Sequence, residues 1–141
     1  MILPDINAER VVEYISNRIR WYILEYAQKD AGIIGLSGGV DSSVTTYLTV
    51  RALGPERVYV YLLPSSSTPK EDLEDAFKVI ENLKIPDTNW EIIRIDDIVA
   101  SFEKTLGSLT HIERGNVMAR IRMIILHQRA YRHNGLSLIH I

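Results

Sequence analysis

Cysteine is absent from this sequence of 141 residues. Its absence excludes a disulfide framework and a thiolate metal site. The histidines are few, at positions 111, 127, 133 and 140, and their scattered positions do not form a cluster of metal ligands. We therefore predict that the protein binds no zinc.

Long hydrophobic runs are also absent, since no apolar stretch approaches the roughly 20 residues of a membrane-spanning helix. Asp5, Glu9 and Arg10 stand where a secretory signal peptide would be apolar, so we expect a cytoplasmic protein. Apolar residues make up 46% of the chain and charged residues 24%, which argues against a disordered or fibrous protein. The length predicts a single domain over residues 1–141.

The net charge of −2 is unevenly distributed along the chain. Residues 111–135 contain five arginines and one glutamate, a net charge of +4, and the remaining residues sum to −6. A local basic segment on an acidic protein favours a small anionic ligand over nucleic acid, which usually meets a basic face across a whole domain. The alternative is that these arginines form the solvated face of a helix.

Segments with helical and strand-like periodicity alternate along the chain. Apolar residues at three- and four-residue spacings predict helices over residues 8–29, 43–53, 68–84, 96–106 and 115–132. Short apolar runs predict buried strands over residues 32–36, 58–63, 91–95 and 136–141. The predicted helix caps are Asn7, Thr68, Asp96 and Asp97. The predicted inward side chains of the second and last helices are Val44, Tyr47, Leu48, Ala52, Val117, Ile121, Ile124 and Ile125.

This alternation predicts an α/β fold, a doubly wound parallel sheet with helices on both faces. We expect the first strand at the centre of the sheet, with the second and third strands placed successively to one side. Ligands of such sheets bind beyond the carboxyl ends of the strands. The segments to inspect are therefore those that follow Leu36, Leu63 and Ile95.

The segment after the first strand is Ser37-Gly38-Gly39-Val40-Asp41-Ser42-Ser43. Two adjacent glycines allow a tight turn, and the amides of a following helix start point at an anion with the positive end of the helix dipole. The serine hydroxyls are further donors. Asp41 would repel phosphate unless it held a divalent cation, so the loop predicts a phosphate site with a metal ion at Asp41.

Two familiar nucleotide loops do not fit this segment. A Walker A loop needs Gly-Lys followed by Ser or Thr, and a dinucleotide fingerprint needs Gly-x-Gly-x-x-Gly; neither spacing occurs. A Gly-Gly turn that only caps a helix remains the alternative to a phosphate site.

The string Ser-Gly-Gly-x-Asp-Ser-Ser resembles the pyrophosphate loop of the ATP pyrophosphatase family, which includes NAD, GMP, asparagine and argininosuccinate synthetases and several tRNA-modifying enzymes. Within that family, Arg114-Gly115-Asn116-Val117-Met118-Ala119-Arg120-Ile121-Arg122-Met123 looks like a segment of NAD synthetase. The segments Leu62-Leu63-Pro64, Ser67-Thr68-Pro69 and Glu71–Ala76 are similar to the same enzymes. The resemblance covers about residues 7–135.

The resemblance implies a Rossmann-like fold of the adenine nucleotide alpha hydrolase type and an ammonia-dependent NAD synthetase. Such an enzyme adenylates the nicotinate carboxylate of deamido-NAD with ATP and Mg²⁺, and ammonia then displaces AMP. The ATP-binding residues implied by the match are Gly35, Leu36, Ser37, Gly38, Gly39, Val40, Asp41 and Ser42, with Asp41 on the metal. Arg120 would contact deamido-NAD, and the backbone near Leu63 would lie against adenine. No side chain is implied as a covalent catalyst.

Other conspicuous side chains receive structural interpretations. Arg122, Arg129 and Arg132 are predicted at the surface, and His111 and His127 as partners of nearby polar groups. The aromatic residues Trp21, Tyr22 and Tyr26 are expected to pack the first helix on the sheet or on a partner subunit, because the family usually forms homodimers. We expect Asp96-Asp97 to be a cap rather than a metal site.

After Gly135 the sequence departs from the family pattern, which continues with a Gly-Thr motif and a metal-binding Glu. Residues 136–141 are interpreted either as foreign or frame-shifted sequence or as a terminal fourth strand. No glutaminase domain precedes Met1, so ammonia is the expected nitrogen source. Three functions stay open: NAD synthesis, ATP binding without turnover because the fold is truncated on its C-terminal side, and another ATP pyrophosphatase of the tRNA-modifying or GMP synthetase type.

Overall fold

The computed structural model describes residues 6–139. Its helices are α1 (Ala8–Arg20), α2 (Val40–Leu53), α3 (Lys70–Asn82), α4 (Asp96–Leu106) and α5 (His111–Arg132). Its strands are β1 (Ala31–Gly35), β2 (Val58–Leu62), β3 (Trp90–Ile92) and β4 (Gly135–Ile139). In this part of the chain, none of the helices has the length and apolarity to cross a membrane.

The four strands form one parallel sheet in the order β3-β2-β1-β4. The expected doubly wound architecture is confirmed, with β1 inside the sheet and β2 and β3 successively to one side. β1 pairs with β2 from Gly32 opposite Val58, and with β4 from Ala31 opposite Gly135. The carboxyl ends of β1 and β2 therefore lie side by side.

Two apolar clusters cover the two faces of the sheet. On one face, α2 and α3 pack on Ile34, Val60 and neighbouring strand residues through buried side chains such as Ala52 and Ile80. On the other face, α4 and α5 pack on a second set of residues that includes Ile33, Tyr61, Val99 and Leu126. A sheet covered on both faces explains why β1 is apolar at every position rather than alternating.

Several element ends differ from the sequence-based prediction because local hydrogen bonds set them. The first helix is α-helical only to Arg20 and continues as a π-helix over Trp21–Tyr26. α2 begins at Val40, three residues early, and α5 begins at His111, where Thr110 and Glu113 form a capping box. Asn7 caps α1 as predicted, accepting from Arg10 N at 3.1 Å.

The predicted caps of α3 and α4 are wrong. Thr68 Oγ1 accepts from Ser65 N at 3.0 Å, so it closes the loop before α3 and Pro69 stands at the cap position. Ile95 precedes the first residue of α4, and the Asp96 carboxylate accepts from Ser66 N on another loop. β2 ends at Leu62, one residue early, β3 covers only Trp90–Ile92, and residues 140–141 of the predicted last strand lie outside the described range.

Three side chains predicted to face the core are exposed. Val44 is 50% exposed, Tyr47 42% and Ile124 58%. In α2 the buried face instead holds Thr46 and Thr49, whose hydroxyls donate to the carbonyl oxygens of the residues four positions earlier, each at 2.7 Å. A threonine whose hydroxyl is satisfied in this way is buried at little cost, so apolar spacing alone predicts the wrong face.

Candidate functional site

A cavity of about 570 Å³ opens where β1 and β2 end. Its lining includes residues from the loop after β1, the loop after β2, the first turn of α3 and the middle of α5. The cavity therefore lies beyond the carboxyl ends of adjacent parallel strands, which is where doubly wound sheets bind their ligands. Of the predicted site residues, those on the lining are Gly35, Leu36, Ser37, Gly39, Val40, Asp41, Ser42 and Leu63.

Gly38 does not line the cavity but determines the path of the loop. Its φ of +86° belongs to the left-handed region, which favours glycine. A Cβ at this position would lie 2.1 Å from the carbonyl oxygen of Asp72 in the first turn of α3. The loop after β1 therefore lies in backbone contact with α3 at this residue.

The serine hydroxyls of this loop bond within the loop itself. Ser42 Oγ accepts from Ser37 N at 3.2 Å and donates to Gly39 O at 3.1 Å, and Ser43 Oγ donates to the same carbonyl at 2.8 Å. Gly39 N donates to Ser37 Oγ at 3.3 Å. The hydroxyls predicted as phosphate donors thus shape the turn.

The main-chain amides at the start of α2 are the donors left for an anion. Gly39 is the N-cap of α2, and the first amides of a helix have no intrahelical acceptor. The amides of Val40, Asp41 and Ser42 follow the cap and carry the positive end of the helix dipole. This backbone geometry suits a phosphate group independently of side chains.

Asp41 lies exposed in the first turn of α2, on the cavity lining. No ion pair joins it to any residue in the range 6–139. That range also contains no cluster of three or more metal-ligating side chains. A carboxylate of this kind fits a Mg²⁺ ion that takes one protein ligand and several oxygens from phosphates and water, rather than an ion enclosed by protein.

Arg122 reaches the cavity from α5 and was missed by sequence reasoning, which placed it at the surface. It is half-buried, and its Nε donates to Leu63 O at 3.0 Å. Burial lowers the pKa of its guanidinium. The signal that would have found it is spacing, because Arg122 is four residues from the buried Leu126 on the same helix face.

Arg129 is a second arginine that was wrongly predicted at the surface. Only 15% of its side chain is exposed, its Nη2 lies 2.9 Å from Glu91 Oε2, and its guanidinium carbon lies 5.5 Å from the centre of the Tyr61 ring. Tyr61 lines the cavity, and its hydroxyl lies 2.9 Å from His133 Nε2. Arg132 is exposed, as predicted.

Arg120 lies outside the cavity. It is exposed on α5, and its Nη1 donates to the backbone and side-chain oxygens of Asn116 at 3.1 and 3.3 Å. Neither His111 nor His127 lines the cavity. The structure therefore brings the loop after β1 together with Leu63 and Arg122, and leaves Arg120 on a separate surface.

The sequence matches a known protein family over most of its length. The profile of the NAD synthase family matches residues 11–139. The NH(3)-dependent NAD(+) synthetase of Saccharolobus solfataricus is 45% identical over 125 residues, which make up 89% of this chain and 44% of the relative. The chain thus spans about half the length of such relatives.

Solved structures show the same fold. An NH3-dependent NAD synthetase from Campylobacter jejuni superposes with a TM-score of 0.88 at 30% identity, covering 97% of this chain and 58% of that one. A glutamine-dependent NAD+ synthetase from Acinetobacter baumannii in complex with adenosine diphosphate superposes with a TM-score of 0.87 at 28% identity, covering 100% and 27%. The family match over most of the chain and the shared fold lead to one conclusion: this chain belongs to the NAD synthase family.

Proposed function

We propose that this chain forms the ATP-binding part of a ligase that converts deamido-NAD, ammonia and ATP into NAD, AMP and pyrophosphate. The observation that supports this most directly is the cavity at the ends of β1 and β2, where the amides at the start of α2 and the carboxylate of Asp41 lie on one lining. Ammonia is the proposed nitrogen source because the curated relatives are described as NH(3)-dependent.

In this proposal the phosphates of ATP bind at the loop from Gly35 to Ser42, against the first amides of α2. Mg²⁺ bound at Asp41 would neutralise phosphate charge and the charge of the departing pyrophosphate. The adenine lies near Leu63, whose carbonyl is already bonded to Arg122. Arg122 places a positive charge on the same lining, so it favours the anionic part of the nucleotide as well.

The chemistry needs no nucleophile from the protein. A carboxylate oxygen of deamido-NAD attacks the α-phosphorus of ATP, and the bond to pyrophosphate breaks. Ammonia then attacks the acyl carbon, AMP leaves with the bonding electrons, and one proton is released. No lysine, cysteine or histidine lines the cavity among the residues described, in accord with catalysis by alignment and electrostatic stabilisation.

The second substrate and the partner subunit are proposed on the outer surface. Arg120 is exposed and always charged, so it suits a phosphate or carboxylate of deamido-NAD outside the ATP cavity. The rings of Trp21, Tyr22 and Tyr26 are exposed and contact one another, with centroids 5.1 to 6.4 Å apart. We propose this face for contact with a second copy of the chain.

ATP binding and the complete reaction are proposed separately, because the chain spans about half the length of its curated relatives. ATP binding is proposed for residues 6–139, and amidation is proposed for the whole protein. Other ATP pyrophosphatases of the tRNA-modifying or GMP synthetase type are disfavoured by the match to the NAD synthase profile.

The test is calorimetric titration of ATP into the native chain and into Asp41→Asn, each with Mg²⁺ and with EDTA. In the native chain Mg²⁺ should tighten ATP binding. In Asp41→Asn the gain in ATP affinity from Mg²⁺ should be roughly tenfold smaller than in the native chain, because one charged ligand is removed. In EDTA, Asp41→Asn should bind ATP at least as tightly as the native chain does.

The matched control is Asp87→Asn, an exposed carboxylate just before β3 and therefore at the opposite edge of the sheet. It should behave as the native chain does. An equal gain from Mg²⁺ in Asp41→Asn and the native chain would contradict the role of Asp41, and no ATP binding by the native chain would contradict the proposed function.

A further inference from the structure

We propose that Asp96 is a positioning residue that holds the loop between β2 and α3 against the nucleotide cavity and thereby sets ATP affinity without touching ATP. The proposal rests on the proposed function. Asp96 is not on the cavity lining, and the sequence predicted it only as a helix cap.

The loop that Asp96 contacts forms one side of the cavity. Five of its residues line the cavity: Pro64, Ser65, Ser67, Thr68 and Pro69. The loop is closed by its own bonds, since Ser65 N donates to Thr68 Oγ1 at 3.0 Å and Thr68 N donates to Ser65 O at 3.0 Å. It is therefore a compact turn that moves as a unit if its attachment changes.

The attachment comes from the segment that follows β3. Ile95 N donates to Pro64 O at 3.0 Å, and Asp96 Oδ1 accepts from Ser66 N at 2.7 Å. Ile95 is fully buried, so the backbone that presents Asp96 is fixed in the core. Two successive residues thus bond to the base and the tip of the same loop.

The carboxylate of Asp96 is held in place by its own surroundings. Its second oxygen, Oδ2, is buried and forms an ion pair with Arg94 Nη2 at 3.2 Å, without the geometry of a hydrogen bond. Asp96 is also the first residue of α4, where a negative charge is favoured by the helix dipole. The bond from Ser66 N is the main reason that the pKa of Asp96 is lowered.

A displacement of the loop between β2 and α3 would also affect the loop after β1, because α3 contacts both. The loop leads directly into α3, and the carbonyl of Asp72 in its first turn lies against Gly38 in the loop after β1. The distance leaves no room for a methyl group, so the two backbones are in direct contact. Loss of the bond between Asp96 and Ser66 should therefore loosen both sides of the cavity.

The test compares Asp96→Ala, Asp96→Asn and Asp97→Ala by titration of Mg-ATP into the full chain. Asp97 is the matched control, because it is exposed in the same helical turn and shares the effect of the helix dipole. Asp96→Ala should bind ATP roughly tenfold more weakly than Asp97→Ala, since a hydrogen bond to a charged acceptor is lost. Asp96→Asn retains an oxygen acceptor and should restore most of the affinity.

Amide hydrogen exchange supplies a readout that does not depend on ATP. The Ser66 amide should exchange faster in Asp96→Ala than in Asp97→Ala, while the thermal unfolding curves of the two variants show that both are folded. Equal ATP affinity in these two variants, or failure of Asp96→Asn to restore affinity, would overturn the role of Asp96 alone. No ATP binding by the unaltered chain would overturn the proposed function as well, even if Ser66 exchange changed as expected.

Discussion

The arginines of α5 show how neighbours in sequence acquire different environments. Arg120 and Arg122 are two residues apart, and a helix turns about 200° over that distance. Arg120 is exposed, whereas Arg122 is half-buried, bonds to Leu63 and lines the cavity. Residue type alone cannot separate them, and only the helical phase relative to the buried Leu126 does so.

The position of the loop after β1 could be predicted from the sequence, but the hydrogen bonds of its side chains could not. Its place between a strand and a helix follows from the pattern, and the structure puts seven of the eight residues from Gly35 to Ser42 on the cavity. The bonds of Ser37, Ser42 and Gly39 depend on loop conformation, which spacing does not specify. The binding roles of these residues remain predictions.

Gly38→Ala should destabilise the fold more than the substitution of another glycine that also has a positive φ. Gly107 also has a positive φ, +92°, but a Cβ there would meet no atom within 4 Å. Gly107→Ala should therefore cost about 1–3 kcal/mol of unfolding free energy from backbone strain alone. Gly38→Ala also places a side chain at positive φ, and its Cβ would in addition collide with the Asp72 carbonyl, so it should cost at least about 1 kcal/mol more.

Urea denaturation of both alanine variants measures this difference. The Gly38→Ala variant should in addition bind ATP more weakly, because the loop must move away from α3. Equal destabilisation by the two substitutions would show that the contact between Gly38 and Asp72 is not tight in solution.

For the helices and strands, the type of each element was easier to predict than the residues at which it begins and ends. All five α-helices and four strands occur where periodicity places them, but α2 and α5 start earlier than predicted. The start of α5 is set by Thr110 and Glu113, outside the apolar stripe that defines the helix. Apolar spacing predicts the part of a helix that packs on the core. Polar capping residues extend the helix beyond that part.

The capping box of α5 leads to a prediction about its stability. Thr110 Oγ1 accepts from Glu113 N at 3.3 Å, and Glu113 Oε2 accepts from Thr110 N at 2.8 Å. Thr110→Ala should lower the unfolding free energy by about 1 kcal/mol, because the Glu113 amide in the first turn loses its acceptor. Chemical denaturation measures this loss.

Ser108→Ala is the control, since Ser108 is exposed in the loop before α5. It should change the unfolding free energy by less than about 0.5 kcal/mol. If Thr110→Ala were as mild as Ser108→Ala, the capping box would not contribute to stability.

For the whole molecule, the order of β1, β2 and β3 was predictable because strands that follow one another along the chain are usually neighbours in the sheet. The path of β4 back to the other side of β1 was not predicted, since residues 136–141 lack a clear pattern. Its observed pairing with β1 places the last described residues beside the earliest strand.

His133, the residue that follows α5, packs on two side chains of β2. Its ring stacks on Tyr59 with centroids 3.7 Å apart and bonds to the Tyr61 hydroxyl. Burial, with the charges of Arg132 and Arg129, lowers the pKa of His133. The unfolded chain therefore binds more protons than the folded chain near and below the ordinary histidine pKa of about 6.5, and stability falls as the pH falls through that range.

Unfolding free energies measured from about pH 8 to 5 should show this decline. His133→Phe retains a ring beside Tyr59 but cannot be protonated, so its unfolding free energy should depend less steeply on pH. The same slope in the variant and the native chain would exclude His133 as its source.

The central position of β1 also has a consequence during synthesis on the ribosome. β1 obtains one neighbour when β2 emerges, but its other edge pairs only with residues from Gly135 onward. At typical elongation rates of about 5–20 residues per second, that edge stays open for roughly 5–20 s in the nascent chain. An unpaired, wholly apolar strand is a template for association with other chains, so we expect newly made protein to need a chaperone until β4 is translated.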